Sequence, residues 1–350
     1  MIDFLTNTVI RKDMEEIYSR GDYSLLSGGK SVLVTGAYGM LASYMVYFML
    51  YLNEIHAFDI KIIAVSRNVE KFNARFGAHK DKMALISKSV NEPVDIKCDF
   101  IIHAASFASP QHYTVRPIDV ILPNVLGTNN LLELAATYKA RFLFLSTCGV
   151  YGHLEGSQVN VTESDFGIID PLAAHSCYEE SKRLGEALCA AYCKQKGVES
   201  VIARIAHTYG PTMDIENDPR VFASFVKNAV NGEPIEIKSD GSARRSFCYI
   251  SDATAAYFRL LFEGRPGEAY NVCNTSQTVS IKELGSIVSK LAGVDFVHVQ
   301  RDSGDTYLQN DNPSNTLYVS DKLKKLGFDF TVDLQEGFGR VVSYFREASR

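Results

Sequence analysis

No run in this chain is apolar for long enough to cross a bilayer. The most apolar stretch, Met40 to Leu52, follows a glycine turn and falls short of the ~20 residues a spanning helix needs, so it reads as a buried helix. The 7 cysteines, at 98, 148, 177, 189, 193, 248 and 273, form no CxxC pair. Cys189 and Cys193 stand four apart on an expected helix, but no histidine or second cysteine pair completes a zinc set, and no metal is expected. An odd count in a chain of this size fits reduced thiols in the cytoplasm rather than a disulfide framework. Basic charge is not in excess either: 36 Lys and Arg against 41 Asp and Glu leave a net charge of −5. That balance offers no electrostatic case for nucleic acid or an anionic membrane as partner. The first residues, MIDFLTNTVIRKDMEE, carry charge too early for a signal peptide. There is no internal repeat and no low-complexity tract. What is present is ordinary globular composition, 46% hydrophobic and 22% charged over 350 residues, enough for one large or two intimate domains.

Residues 1–29 form an extension of mixed polarity, with a short helix expected around Lys12–Arg20 before the breaker Ser27-Gly28-Gly29. From Lys30 the rhythm becomes strand, helix, strand. Strands are expected at Lys30–Thr35, Lys61–Ser66, Asp99–His103, Phe142–Ser146 and Ser200–Arg204, and helices at Met40–Leu52, Val120–Tyr138 and Tyr178–Lys196. Short apolar runs such as Val32-Leu33-Val34 suit strands buried on both faces. The alternation predicts a doubly wound parallel α/β sheet of Rossmann type over residues 30–210. Past residue 210 glycine, proline and charge become frequent, with helices expected near Phe222–Val230 and Ser280–Leu291. Residues 211–350 therefore read mainly as a smaller C-terminal α/β lobe for substrate, interleaved with the first domain.

Thr35-Gly36-Ala37-Tyr38-Gly39-Met40-Leu41-Ala42 joins a strand to an apolar helix. Gly36 permits the tight turn, Gly39 lets backbone amides approach a pyrophosphate, and the helix N-terminus adds its positive end. Tyr38 and Met40 complete this cofactor-binding turn, and Ala42 is the small residue wanted where helix meets strand. The next strand ends in Ser66-Arg67-Asn68, where an NAD site places a carboxylate on the ribose 2′-hydroxyl. This donor-rich set suits a 2′-phosphate instead. NADP(H) is the favoured cofactor, NAD(H) the alternative; the competing role for Arg67 is a solvated loop charge.

Tyr178 and Lys182 stand four apart at the start of a helix and share one face. A free tyrosine titrates near pH 10, and carrying a proton at neutral pH requires a shift of roughly three units, about 4 kcal/mol. A nearby ammonium and an oxidised nicotinamide both favour the phenolate. At the tip of an earlier strand, Leu145-Ser146-Thr147-Cys148-Gly149-Val150-Tyr151-Gly152 offers the Thr147 hydroxyl to a sugar oxygen. Ligands of open parallel sheets bind at the carboxyl ends of the strands, where these pieces should converge.

With these motifs in this order, joined by His103-Ala104-Ala105-Ser106, Asn124-Val125-Leu126-Gly127-Thr128, Tyr209-Gly210-Pro211 and Arg245–Asp252, the chain resembles the extended short-chain dehydrogenase/reductase family. That family contains NAD(P)-dependent nucleotide-sugar epimerases, dehydratases, decarboxylases and ketoreductases. The resemblance covers about residues 31–265, and the fragments Ala108–Tyr113 and Arg245–Tyr249 look especially like UDP-glucuronate decarboxylases and their dehydratase relatives. It implies Thr147, Tyr178 and Lys182 as catalytic residues, and Ala104, Ala105 and Ser106 against the cofactor. Asn124 and Arg245 would hold substrate, Arg245 as a donor to its diphosphate. His207, where many relatives have asparagine, is either a diphosphate contact or a satisfied loop histidine. Relatives commonly dimerise through a four-helix contact that here would include Val120–Tyr138 and Tyr178–Lys196, so a homodimer is expected.

One departure matters. The dehydratases carry Asp-Glu after serine-threonine and the decarboxylases keep a glutamate, whereas this chain has Cys148-Gly149. Neither residue moves a proton in that role, which speaks against 4,6-dehydration; Cys148 reads as a wall residue, with a thiol acid as the alternative. The combined expectation is an NADP(H)-dependent reductase of an NDP-4-keto-6-deoxy sugar, with Tyr178 delivering the proton to carbon 4's oxygen. The alternatives are a C4 epimerase or a UDP-glucuronate decarboxylase-like enzyme and, more remotely, a catalytically silent nucleotide-binding protein.

Overall fold

A computed structural model describes residues 5–154, 159–173, 175–299 and 316–348. Helix α1 (Thr8–Ser19) precedes β1 (Ser31–Thr35), α2 (Met40–His56), β2 (Lys61–Val65), α3 (Val69–Phe76), β3 (Ala84–Ile86) and β4 (Phe100–His103). Two short helices, α4 (Gln111–Val115) and α5 (Pro117–Leu122), lead through a π-helical turn at Pro123–Gly127 into α6 (Thr128–Tyr138) and β5 (Arg141–Thr147). The chain then makes β6 (Val159–Val161), α7 (Ser176–Lys196), β7 (Ser200–Ile205), β8 (His207–Tyr209), α8 (Val221–Asn231), β9 (Ile235–Ile237) and β10 (Arg244–Tyr249). It ends with α9 (Ile250–Glu263), β11 (Ala269–Val272), β12 (Thr278–Ser280), α10 (Ile281–Ala292), β13 (Phe296–His298), β14 (Thr316–Tyr318), α11 (Asp321–Lys324) and α12 (Leu334–Ala348).

Seven strands form one parallel sheet in the order β11-β7-β5-β4-β1-β2-β3. The strands are short and apolar because both faces are covered: Val32, Leu33 and Val34 are fully buried. Helix α2 is apolar all round because it is packed all round, with residues 42–52 buried. The smaller lobe holds the three-stranded sheet β12-β10-β8 and the pairs β13–β9 and β14–β6. Among the described residues no helix is long and apolar enough to cross a membrane.

One helix departs from the sequence reading, and two further elements extend it. The helix expected over Val120–Tyr138 is interrupted by the π turn, because Pro123 has no N–H to give to the preceding turn. Strand β11 lies beyond residue 210 yet pairs with β7 in the large sheet, so residues 211–350 supply that sheet as well as the lobe. In the N-terminal extension, Ile10, Met14 and Ile17 of α1 are buried in the main core. Beside them the buried Asp13 accepts from Tyr249 Oη at 2.7 Å and from Arg340 Nη1 at 2.5 Å, tying the first helix to the last.

Candidate active site

The site lies at the carboxyl ends of β1, β4 and β5. After β1, Gly36 adopts φ +64°, and a Cβ there would stand 2.8 Å from Ala105 Cα, so only glycine allows the two loop backbones to close together. The Gly39 N–H donates to the Gly36 carbonyl at 2.8 Å. Gly39 is the N-cap of α2 and supplies no side-chain hydrogen bond. The first amides of that helix thus have no side-chain cap where Met40, Leu41 and Ala42 border the cleft, the arrangement that receives a phosphate.

Across the turn, Thr35 Oγ1 meets His103 Nδ1 at 2.8 Å and accepts from the N–H groups of Ala104 and Ala105 at 3.2 and 3.1 Å. Those amides are consumed internally, so Ala104 and Ala105 border the cavity by virtue of small size rather than as donors. The hydroxyls of Ser106 and Ser109, by contrast, are buried without a partner. Two unpartnered hydroxyls, an uncapped helix start and a backbone cradle closed to any Cβ fit a dinucleotide.

The structure brings Thr147, Tyr178 and Lys182 into this same cleft, with a volume of about 530 Å³. Thr147 ends β5, and its Oγ1 accepts from the Gly149 N–H at 3.1 Å. Tyr178 and Lys182 lie on the first turns of α7. The Lys182 ammonium donates to the Leu145 carbonyl at 2.7 Å and stands 6.0 Å from the Tyr178 ring centre. Tyr113 stacks on Tyr178 with centroids 5.0 Å apart. Burial sets both titrations: it pushes Lys182 down to about 7 against the Glu186 carboxylate. It also raises the Tyr178 phenol, helped by Glu179 and opposed by a hydrogen bond with Thr147 and the charge of Arg220. The expectation that Lys182 lowers this phenol is therefore not met by the protein groups alone, because desolvation outweighs the neighbouring charges.

A contiguous cavity runs to the end of β2. Ser66, Arg67, Lys71 and Lys88 line it, and no carboxylate does among the described residues. Arg67 lies over the Phe107 ring at 4.7 Å. Asn68 is committed elsewhere: its side chain caps α3, accepting from the Lys71 N–H at 2.7 Å, and it is not a lining residue. Tyr38 borders this cavity.

Of the expected substrate residues, His207 borders the cleft and Asn124 does not. Asn124 is fully buried in the π turn, donating to the Val120 carbonyl at 3.0 Å and to Ser181 Oγ at 2.9 Å. Its amide nitrogen braces α7, one residue from Lys182, while its Oδ1 is buried without a partner. His207 is held neutral, its pKa down to about 3, by burial and then by the charges of Arg245 and Arg220. Arg245, on β10, is outside the cleft lining; its guanidinium donates to the Arg244 carbonyl at 2.9 Å, and its charge also bears on Tyr318. Cys148 is a wall residue: its thiol is buried, donates to the Arg204 carbonyl at 3.5 Å and is raised well above the usual range by burial.

Several residues escaped the sequence reading, among them Arg220, Tyr113 and Glu179 in the cleft and Lys71 and Lys88 in the outer cavity. Glu179 stood inside the Tyr178–Lys182 motif, but helical spacing alone does not say that the next residue also meets the cleft. Arg220 and Lys88 come from loops with no motif, and only tertiary folding brings them in.

Residues 32–273 match the NAD dependent epimerase/dehydratase family. The chain is 35% identical over 320 residues, 90% of its length and 88% of the relative's, to UDP-glucuronic acid decarboxylase 6 of Arabidopsis thaliana. Its fold is similar to that of UDP-glucose 4-epimerase from Thermotoga maritima, with a TM-score of 0.73 and 24% identity, covering 91% of this chain and 100% of that one. It is similarly close to UDP-glucuronic acid 4-epimerase from Bacillus cereus in complex with NAD, with a TM-score of 0.73 and 22% identity over 91% and 100% of the two chains.

Proposed function

The chain belongs to the NAD-dependent epimerase/dehydratase family, and from that premise we propose that it oxidises carbon 4 of a UDP-hexuronate, releases carbon dioxide and returns the hydride. The observation that carries this reading is the meeting of Thr147, Tyr178 and Lys182 in one cleft with the Gly36–Met40 turn. The decarboxylase likeness supplies the substrate class, and the charges of Arg220 and Arg245, which converge on His207, suit a diphosphate.

Nicotinamide dinucleotide, when bound, accepts and returns the hydride and in its oxidised form adds a positive charge beside the phenol. Tyr178 takes the proton of the carbon 4 hydroxyl and later returns it. Thr147 hydrogen-bonds that oxygen, and Lys182 holds the nicotinamide ribose. A ketone at carbon 4 stands β to the carboxylate on carbon 5, so the carbon–carbon bond breaks with its electrons drawn into the carbonyl. The chain's share is placement and proton movement.

The cavity at the end of β2 supports NADP(H) as its carrier: Arg67, Lys71 and Lys88 offer charge to a 2′-phosphate, and no carboxylate among the described lining residues repels it. This observation also favours a second reading, net reduction of a 4-keto nucleotide sugar with NADPH. Exposed Ile118, Leu122, Leu126 and Leu184 on α5, the π turn and α7 support a homodimer through these helices. The deciding experiment is incubation with UDP-[6-¹³C]glucuronate and catalytic NADP⁺ or NAD⁺, followed by NMR. Labelled carbon dioxide and a UDP-pentose are expected. Epimerised hexuronate without carbon dioxide, or NADPH consumption with a 4-keto sugar alone, would replace this reading.

A further inference from the structure

The loop after Thr147 carries Cys148-Gly149, and neither residue is a proton carrier. The Cys148 thiol is buried, spent on the Arg204 carbonyl and raised well above its usual range; Gly149 has no side chain. Helix α7 fills the gap. A Cβ built on Gly149 would stand 3.1 Å from Glu179 Cγ and 3.4 Å from Thr147 Oγ1, so the Glu179 side chain occupies the space that a longer residue at 149 would enter. Among the described residues lining the cleft it is the sole carboxyl. Its Oε2 is buried without a hydrogen-bond partner, an arrangement that disfavours the charged form. The next residue, Glu180, is by contrast paired with Arg183 at 3.4 Å.

We propose that Glu179 is the acid that protonates carbon 5 of the sugar after decarboxylation, an assignment that rests on the reaction proposed above. When the bond from carbon 5 to the carboxylate breaks, its electron pair forms the enolate across carbons 4 and 5, and carbon dioxide leaves. The Glu179 proton then goes to carbon 5, the carbon 4 ketone is restored and the carboxylate is reprotonated from water. The ketone is finally reduced with the Tyr178 proton on its oxygen. The balance is one hexuronate and one solvent proton to one pentose and one carbon dioxide.

The surroundings suit a carboxyl that keeps its proton. Burial raises Glu179 above the ordinary glutamate range and Glu180 adds to this, while its own backbone N–H and the charges of His175 and Arg183 pull the other way. Tyr178, packed beside it, is itself raised partly by Glu179, so the two groups resist losing both protons together. The protonated form is the active one, and the protonation of carbon 5, and with it pentose formation, must slow as pH rises through the Glu179 titration.

The test compares the wild type with Glu179→Gln in deuterium oxide, reading carbon dioxide, the accumulated 4-keto sugar and the position of deuterium. The wild type should place one deuterium at carbon 5 on a single face. The variant should retain its melting temperature and cofactor affinity, yet lose roughly 100-fold or more in pentose formation, with deuterium scattered over both faces. A pentose yield and labelling pattern equal to the wild type would overturn the assignment. The wild-type pH profile is the second measurement: an alkaline limb in pentose formation, absent from carbon dioxide release, supports Glu179, and matched profiles count against it. If the wild type releases no carbon dioxide from UDP-glucuronate, the reaction itself is wrong and the assignment goes with it.

Discussion

Tyr178 shows how little spacing alone says about chemistry. Its partner four residues on is where a helix must put it, but the Lys182 ammonium gives its hydrogen bond to the Leu145 carbonyl rather than to the phenol. Burial raises one group and lowers the other, so the pair is tuned by what enters the cleft. Tyr178→Phe removes the proposed proton carrier and leaves the stacking on Tyr113. We expect it to lower kcat by 10²–10⁴-fold, the usual worth of a general acid–base group, while the dissociation constant for NADP⁺ measured by calorimetry changes little. A variant with undiminished turnover would remove Tyr178 from the mechanism. At the other cavity, the proposed NADP(H) carrier predicts that Arg67→Ala weakens NADP⁺ by about tenfold or more and leaves NAD⁺ nearly unchanged, because a guanidinium that pairs with the 2′-phosphate has no counterpart to lose on NAD⁺.

Helix α7 is held in place from two sides. Gly185 lets it approach β5 so closely that an added Cβ would sit 2.5 Å from Phe144 Cζ, and Asn124 in the π turn grips Ser181. That grip makes Asn124 a positioning residue for Tyr178 and Lys182. Asn124→Ala strips two buried hydrogen bonds, which should cost about 1–3 kcal/mol and lower kcat with KM for the sugar nearly constant. A raised KM at an unchanged melting temperature would return Asn124 to the substrate site. The π turn itself was hidden in the sequence, because Pro123 inside an apolar helical pattern marks a break without saying what kind.

Over the whole molecule, buried titrating groups shape the response to acid. His103 is enclosed and held neutral, its pKa near 3 through burial and the Lys182 charge, and His207 is lowered likewise. Their unfolded value is about 6.5. The unfolded chain therefore binds protons that the folded one refuses, and stability present above that pH is lost as pH falls towards 3. Asp13 acts in the opposite sense: burial raises it to about 6, so acid relieves it below that pH. Glu179 is raised as well, but the carboxylates of Asp99, Glu133 and Glu283 are held below their usual range and lose stability in acid together with the imidazoles, so a net loss remains, in which His103 weighs more because His207 opens on the cleft. Differential scanning calorimetry should show the melting temperature falling from pH 7 to pH 4.5; a flat or rising curve would contradict this account.

Local rules were enough for much of this protein. Apolar runs such as Val32–Val34, the glycine turn at 36–39 and the Tyr178–Lys182 spacing depend on neighbours along the chain, and from them the parallel sheet and the residues that line the cleft with Thr147 were legible. Other features depend on distant partners. Asn124 turned inward because Ser181 and the π turn meet it there, and Asn68 was taken up as a helix cap. Arg220 and Lys88 came from loops, Glu179 moved into the space beside Gly149, and α1 joined α12 through Asp13 and Arg340. Periodicity assigns a residue to a face, but which groups are desolvated together, and so which keep or lose a proton, is settled only when the elements pack.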